Sequence, residues 1–233
     1  MHAVVMAAGE GRRLRPHTQR WAKAVLPIDG HPVLATLLRE LAAAGLEQVW
    51  LVTGHLGEQV RALAGNGDAF GLDVRDVRQP SVQGSADAVA RAVEAGAVTP
   101  LVVTAADTVF TRGDVRSFVE AFPTTDAAGA IAVRREPAPG LRRPAMRIRE
   151  GWIERVRDDD AAGGLSGAPL WALDRLVVER LRCDREPYEL ENSFQAAIDA
   201  GEKICAIEIG KTRDLTDPLD LVEENFPYLG AWA

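Results

Sequence analysis

Apolar and polar positions along this chain fall into alternating blocks. Ala3 to Ala7 is a short run without a polar side chain, as a central strand buried on both faces requires. Pro32 to Ala44 carries Val33, Leu34, Leu37, Leu38 and Leu41 at helical spacing and stops at Gly45, which predicts a helix with a glycine-marked end. The same reading gives a strand over Gln48 to Thr53, a short helix over Gly57 to Ala64 and an alternating strand over Leu72 to Val77. A helix over Ser85 to Ala95, ended by Gly96, precedes a buried strand over Pro100 to Ala105. This succession predicts an α/β fold with a parallel sheet and right-handed crossovers. Ligands of such sheets bind beyond the carboxyl ends of the strands. Gly9, Gln79 and Asp107 each follow a predicted strand, so all three are expected along one rim.

After residue 122 the pattern changes. Ala127 to Arg134 reads as a strand and Pro137 to Pro144 as a loop rich in Pro, Gly and Arg. Met146 to Val156 reads as two short strands around Glu150-Gly151, and Leu165 to Leu173 as a strand entered through Gly163-Gly164. Leu176 to Leu181 and Leu190 to Ala200 read as helices, Ile204 to Ile209 as a strand, and Pro218 to Tyr228 as a helix with Leu219, Leu221 and Val222 as its apolar contacts. No internal repeat is present. Residues 1–233 are read as a single domain, with a first half over 1–122 and an elaborated half over 123–233 on the same sheet.

Composition adds constraints. Of 233 residues 47% are hydrophobic, enough for a packed core and against disorder. The net charge of −7 disfavours a non-specific nucleic-acid binder, though local cations still decide what a site holds. Cys183 and Cys205 fit no metal-ligand spacing and read as core residues. The apolar start is brief, ends at Gly9 and has its charges after it, so it reads as a strand and not a signal peptide. With no run long enough to span a membrane, a cytoplasmic location is the expectation. Oligomeric state is not legible, and a homo-oligomer is compatible with everything above.

The first segment with chemistry is Gly9-x-Gly11-Arg12-Arg13-Leu14-x-Pro16, with Thr18 and Lys23 downstream. Glycines let a backbone turn approach phosphate oxygens, arginine supplies a planar fork, and lysine a compact charge. A triphosphate needs such neutralisation for transfer. A Gly-x-Gly alone also fits a plain strand-to-helix turn. The segment matches neither the phosphate loop ending in Gly-Lys-Ser/Thr nor the Gly-x-Gly-x-x-Gly dinucleotide fingerprint.

Met6-Ala-Ala-Gly-Glu-Gly-Arg-Arg-Leu-Arg-Pro-His-Thr18 and Ala22-Lys-Ala-Val-Leu-Pro-Ile-Asp-Gly-His-Pro32 resemble the signature of the sugar-phosphate nucleotidyltransferases, the glucose-1-phosphate uridylyl- and thymidylyltransferase-like enzymes. The chain departs from the family pattern at Arg12 (Thr or Ser in the family) and at Ala22 (Pro in the family). The resemblance implies a Rossmann-like three-layer fold with a mostly parallel sheet, of the nucleotide-diphospho-sugar transferase type. It implies that Ala8, Gly9, Gly11, Arg12 and Arg13 bind nucleotide, that Arg13 holds the β- and γ-phosphates, and that Lys23 contacts the α-phosphate and the sugar phosphate. Arg13 and Lys23 are then the catalytic pair. Gln79 and Gly84-Ser85-Ala86-Asp87-Ala88 resemble the family's base-reading segment. A glutamine amide has a donor and an acceptor for the paired edge of uracil or thymine.

Asp107, after Leu101 to Ala106, and Asp214 in Thr212-Arg-Asp-Leu-Thr-Asp-Pro218 match the positions of the family's metal ligands, which implies Mg2+ as cofactor. Without the resemblance, Asp107 reads as a cap on a turn and the Asp214 region as the approach to a helix with Asp217 before Pro218. Gly140, Asp158 and Gly167 match the sugar-binding positions, although the family's Glu-Lys-Pro segment is missing and Asp158 to Asp160 also reads as a solvated turn.

The expected activity joins UTP or dTTP to a sugar 1-phosphate, giving a nucleotide sugar and pyrophosphate, with no nucleic-acid or membrane partner. Transfer to another sugar or to a non-sugar phosphate is the first alternative. A regulatory protein that binds a nucleotide sugar without turnover is the second, and the presence of Arg13, Lys23 and Asp107 weighs against it. A dinucleotide-dependent oxidoreductase lacks its third glycine and ribose-binding acid.

Overall fold

β1 (His2–Ala7) is central because both of its faces are apolar: Ala3 and Val5 pack into one core cluster and Val4 into another, all fully buried. The structure is a computed structural model and describes residues 1–136, 144–158, 164–182 and 185–226. Parallel neighbours flank β1, namely β4 (Gln48–Thr53) and β6 (Leu101–Ala105), and β5 (Asp73–Arg78) adds beyond β4 at the edge. The sheet continues past β6 with β11 (Ser166–Leu173), β8 (Gly129–Arg134), β12 (Ile204–Glu208), β10 (Trp152–Arg155) and β9 (Arg147–Arg149). β11 runs antiparallel between β6 and β8, and β10 and β9 extend the far edge as antiparallel strands. Among the described residues, one nine-stranded mixed sheet thus carries strands from both halves of the chain.

Helices cover both faces, which makes three layers. α1 (Val33–Ala43), α2 (Gly57–Ala64) and α4 (Asp114–Ala121) pack into the cluster that contains Ala3 and Val5. α3 (Ser85–Glu94), α5 (Arg175–Val178) and α6 (Leu190–Asp199) pack into the cluster that contains Val4. α1 shows why the sequence folds this way. Leu34, Leu37, Leu38 and Leu41 recur at helical spacing and are all buried, each stabilising the packing by about 2 kcal/mol. Truncating one to alanine should cost about 2–5 kcal/mol.

Several elements differ from the sequence reading. α4 is a helix that the pattern did not single out, because it buries only Val115 and Phe118, with Val119 packed partly against the core beside them. Two small ribbons are also additional: β2 (Pro27–Ile28) with β3 (His31–Pro32), and β7 (Thr108–Val109) with β13 (Arg213–Asp214). Two-residue strands are too short to show a period. α7 (Pro218–Glu223) starts where expected, with Asp217 and Asp220 forming a reciprocal cap around Pro218. Of its three expected apolar contacts only Leu221 packs inward, against the Leu14 cluster; Leu219 is 60% exposed and Val222 41%. Cys205 is buried, as a core residue should be, and Cys183 lies outside the described residues.

The strand order reverses between β1 and β6. β1 leads outward to β4 and β5, whereas β6 returns on the other side of β1. The crevice beyond the carboxyl ends of these strands is the favoured ligand position in an open α/β sheet.

Candidate active site

The loop that leaves β1 turns through Gly11, which sits at φ +59°. A side chain there would also meet Thr18, since a Cβ would lie 2.9 Å from its methyl carbon. Thr18 in turn closes the loop: its hydroxyl donates to the Gly11 carbonyl at 2.8 Å. Two side chains near the start of α2 hold the loop from outside. His55 donates from Nε2 to the Thr18 carbonyl at 2.9 Å, and its backbone N–H donates to Ala8 O at 3.2 Å. Gln59 accepts from the Ala22 N–H at 2.8 Å and donates to the Arg20 carbonyl at 2.7 Å. Leu14 anchors the turn from below in a small cluster with Leu26, Ile28, Val33 and Leu215.

This loop lines an open cavity of about 300 Å³ at the crossover between β1 and β6. Ala8, Gly9, Gly11 and Lys23 contribute from the loop, Gln79, Gly84 and Ser85 from the β5–α3 connection, and Asp107 from the turn after β6. The expected common rim therefore exists, and it brings together most of the residues singled out on the nucleotide side. Lys23 and Asp107 form an ion pair with both side chains less than a third exposed. β13 pairs with β7 so that Asp214 lies opposite Thr108, next to Asp107 in sequence, and Asp214 accepts a hydrogen bond from the Thr216 hydroxyl at 3.1 Å.

Arg13 and Arg12 line a second, smaller pocket of about 230 Å³ that shares Gly11 and Lys23 with the first and also contains Thr216. Arg13 is exposed and makes no hydrogen bond or ion pair among the described residues. Arg12 turns outward instead and bonds Glu10 at 2.8 Å. Hydrogen bonding from Arg12, and then its charge, hold the Glu10 carboxyl below its ordinary range. An Arg12 so engaged, and 75% exposed, is less available to phosphate than Arg13.

Gln79 is 3% exposed and its amide nitrogen donates twice, to Gly84 O at 3.1 Å and to Asp87 Oδ2 at 2.8 Å. Asp87, itself 1% exposed, also receives Arg91 Nε at 2.7 Å and Arg182 Nε and Nη2 at 2.9 and 2.6 Å. Burial pushes its carboxyl up, but the bonds from Gln79, Arg91 and Arg182 win and hold it below the ordinary aspartate value. Ser85 is tied to the start of α6: its hydroxyl donates to Glu189, and the Leu190 N–H donates back to it at 2.8 Å.

The acceptor side is less assembled. Gly167 enters β11 opposite Val133, just before an irregularity in that pairing, and Asp158 is buried and ion-paired with Arg147 at 2.5 Å. Burial removes the solvated-turn reading for Asp158. Neither residue is among those that line the 300 Å³ cavity, and Gly140 lies outside the described residues. The sequence reading included Asp87 in the base-reading segment without giving it a role of its own, and it missed Arg182, Glu189, His55 and Gln59 as parts of the site. Arg91 lies four residues after Asp87 on one helix face, the one local signal that could have drawn attention to Asp87. Nothing local points to Arg182 or Glu189.

A family model described as the MobA-like NTP transferase domain matches residues 3–186. A glucose-1-phosphate thymidylyltransferase of Streptomyces griseus is 28% identical over 232 residues, 97% of this chain. The chain spans 65% of the length of that relative. A CMP-5'-(3-aminopropyl)phosphonate synthase of Streptomyces rubellomurinus is 45% identical over 80 residues, which cover 34% of this chain and 13% of that protein. Among solved structures, a candidate glucose-1-phosphate thymidylyltransferase from Bacillus anthracis, crystallised with sucrose, superposes with a TM-score of 0.82 at 20% identity over 97% of this chain and 94% of that one. That likeness shows a shared Rossmann-like fold.

Proposed function

We propose, for a chain that belongs to the family of MobA-like NTP transferase domains, that it joins UTP or dTTP to a sugar 1-phosphate and releases pyrophosphate. The observation that carries this reading is the meeting of the Gly9–Lys23 loop, Asp107 and Gln79 in one cavity at the sheet's crossover point. A phosphate oxygen of the acceptor attacks the α-phosphorus in line, the bond from that phosphorus to the bridging oxygen breaks, and pyrophosphate leaves with the electron pair. No protein nucleophile is required, so positioning and charge neutralisation supply the rate.

In this reading Arg13, exposed beside Lys23, binds the β- and γ-phosphates and stabilises the leaving group. Lys23 supplies the cation for the α-phosphate and the acceptor phosphate, and Asp107 orients its ammonium through their ion pair. Asp107 and Asp214 are the residues that would hold Mg2+, and their all-oxygen donor set suits a hard cation. When bound, that ion supplies charge neutralisation across the phosphates. Gln79 meets the base, and Gly84-Ser85-Ala86 follows it in the order expected of a uridylyl-type segment. Asp158 and Gly167 remain the candidates on the sugar side. A triphosphate substrate fits a cytoplasmic protein, and no helix among the described residues is long and apolar enough to cross a membrane.

A second reading, transfer to a non-sugar phosphate or phosphonate, is favoured by the aminopropyl-phosphonate relative and by the missing Glu-Lys-Pro segment. Pyrophosphate release over a grid of triphosphates and acceptors with Mg2+ separates the two. The expected result is turnover of UTP or dTTP with a hexose 1-phosphate. Turnover only with alkyl phosphonates or alcohol phosphates selects the second reading, and nucleotide binding without any release overturns both.

A further inference from the structure

Gln79 has only one face left for a ligand. Its two amide hydrogens go to Gly84 O and to Asp87 Oδ2, a carbonyl and a carboxylate. Both partners can only accept, so a flipped amide would set oxygen against oxygen twice. Asp87 is kept ionised by Arg91 and by two nitrogens of Arg182, a residue from the far side of the β11–α5 segment that also bonds Glu94. Three side chains therefore converge on one buried carboxylate, and its orientation sets that of the glutamine. The carbonyl oxygen of Gln79 is the atom that remains for the cavity it lines.

We infer that Asp87 is a positioning residue for base choice: it presents Gln79 to the nucleobase as a hydrogen-bond acceptor only, so the base that fits brings an N–H to that point. This rests on the reading of Gln79 as the base-contacting residue. Uracil and thymine offer their N3–H. Cytosine has a bare acceptor at N3 and reaches the same oxygen only with its exocyclic amine, which lies further along the edge. Leaving the Gln79 oxygen against another acceptor buries an unmatched pair, the type of mismatch that discriminates strongly.

The test measures kcat/KM for UTP and CTP with native protein, Asp87→Asn, Asp87→Glu and Gln79→Leu. The native protein should prefer UTP. Asparagine both donates and accepts, so Asp87→Asn removes one of the two acceptors that fix the Gln79 amide and leaves only Gly84 O to hold it; the preference should fall at least tenfold, on the order of one lost hydrogen-bond mismatch. The change should be carried by KM, with kcat nearly kept. Asp87→Glu keeps an ionised acceptor and should restore part of the preference. If Asp87→Asn lowers kcat/KM for both nucleotides equally and leaves their ratio intact, Asp87 is only structural and the inference fails. If Gln79→Leu also keeps the native ratio, the base-reading role of Gln79 fails, and the inference with it. Should Asp87→Asn not fold, N3-methyluridine triphosphate with the native protein decides: a KM at least tenfold above that of UTP supports the acceptor-only Gln79, and an equal KM overturns it.

Discussion

Gly84→Ala should damage both stability and nucleotide binding, and the structure supplies the size of the effect. Gly84 lies at φ +108° and ψ 172°, a region that only glycine occupies readily. A Cβ built there would sit 2.1 Å from Tyr188 O, 2.6 Å from its carbonyl carbon and 2.7 Å from its nitrogen. All three are backbone atoms, so no side chain can swing aside. The Tyr188 peptide is itself pinned to this loop, donating to Gln83 O at 2.7 Å and accepting from the Ala86 N–H at 2.8 Å. The backbone conformation costs alanine about 1–3 kcal/mol. Pushing Tyr188 away forfeits two hydrogen bonds worth about 1 kcal/mol each. The sum is about 3–5 kcal/mol, which for a chain of this size lowers Tm by about 10 °C. Differential scanning calorimetry measures it. Because Gly84 O also accepts from the Gln79 amide, KM for the triphosphate should rise in the same variant. A Tm within about 2 °C of the native protein with an unchanged KM would refute the collision and the role assigned to this turn.

Arg13→Ala should cut pyrophosphate release about 100-fold, as loss of a charge-stabilising group does, yet leave the denaturation midpoint unchanged, because the side chain is exposed and makes no bond among the described residues. Asp107→Asn frees Lys23 from its ion pair and should abolish most turnover with only a modest shift in the melting curve; normal turnover would remove Asp107 from the chemistry. Gln59→Leu loses both tethers on the Arg20–Ala22 backbone, which should cost about 1–3 kcal/mol in urea unfolding and raise KM for the triphosphate more than it lowers kcat. The depressed carboxyl of Asp87 has a pH signature. Its stabilisation is complete above the unfolded aspartate value of about 3.9 and is lost as pH falls through its lower folded value, so Asp87→Asn should show a shallower acid limb in urea melts.

Much of the first half of the fold can be read from local pattern, because β1, β4 and β6 are buried on both faces and α1 carries a clear apolar stripe. β1, β4, α1 and α3 begin or end within about a residue or two of their expected limits, the ordinary uncertainty of element ends. What escaped has a common cause: its signal is tertiary. α4 shows two buried residues, too few for a stripe, and β7 and β13 each have two residues and exist only because they pair with each other. The site divides the same way. Gly9 to Lys23 is one contiguous segment with a legible pattern. Asp87 looks like a surface acid four residues before Arg91 until the fold buries it, and its other partner, Arg182, comes from a distant part of the chain. Arg12 misleads in the opposite sense: in sequence it is one more cation of the loop, and only its contact with Glu10 shows that it is spoken for. Asp158 is a residue whose burial, not its sequence, argues against an idle turn.

The short β7–β13 ribbon has a consequence for how the protein comes into being. On a ribosome the segment bearing Asp107 emerges long before the one bearing Asp214, and the two carboxylates become neighbours only after a very long loop has closed. Contacts this distant in sequence form late and slowly. A nascent or refolding chain can therefore have the Gly9–Lys23 loop and its first four parallel strands while still lacking Asp214, the second of the proposed metal-holding acids. On the proposed roles of Asp107 and Asp214, shape should return before function does, and catalytic competence becomes a clock for the last docking event and not for the collapse that precedes it.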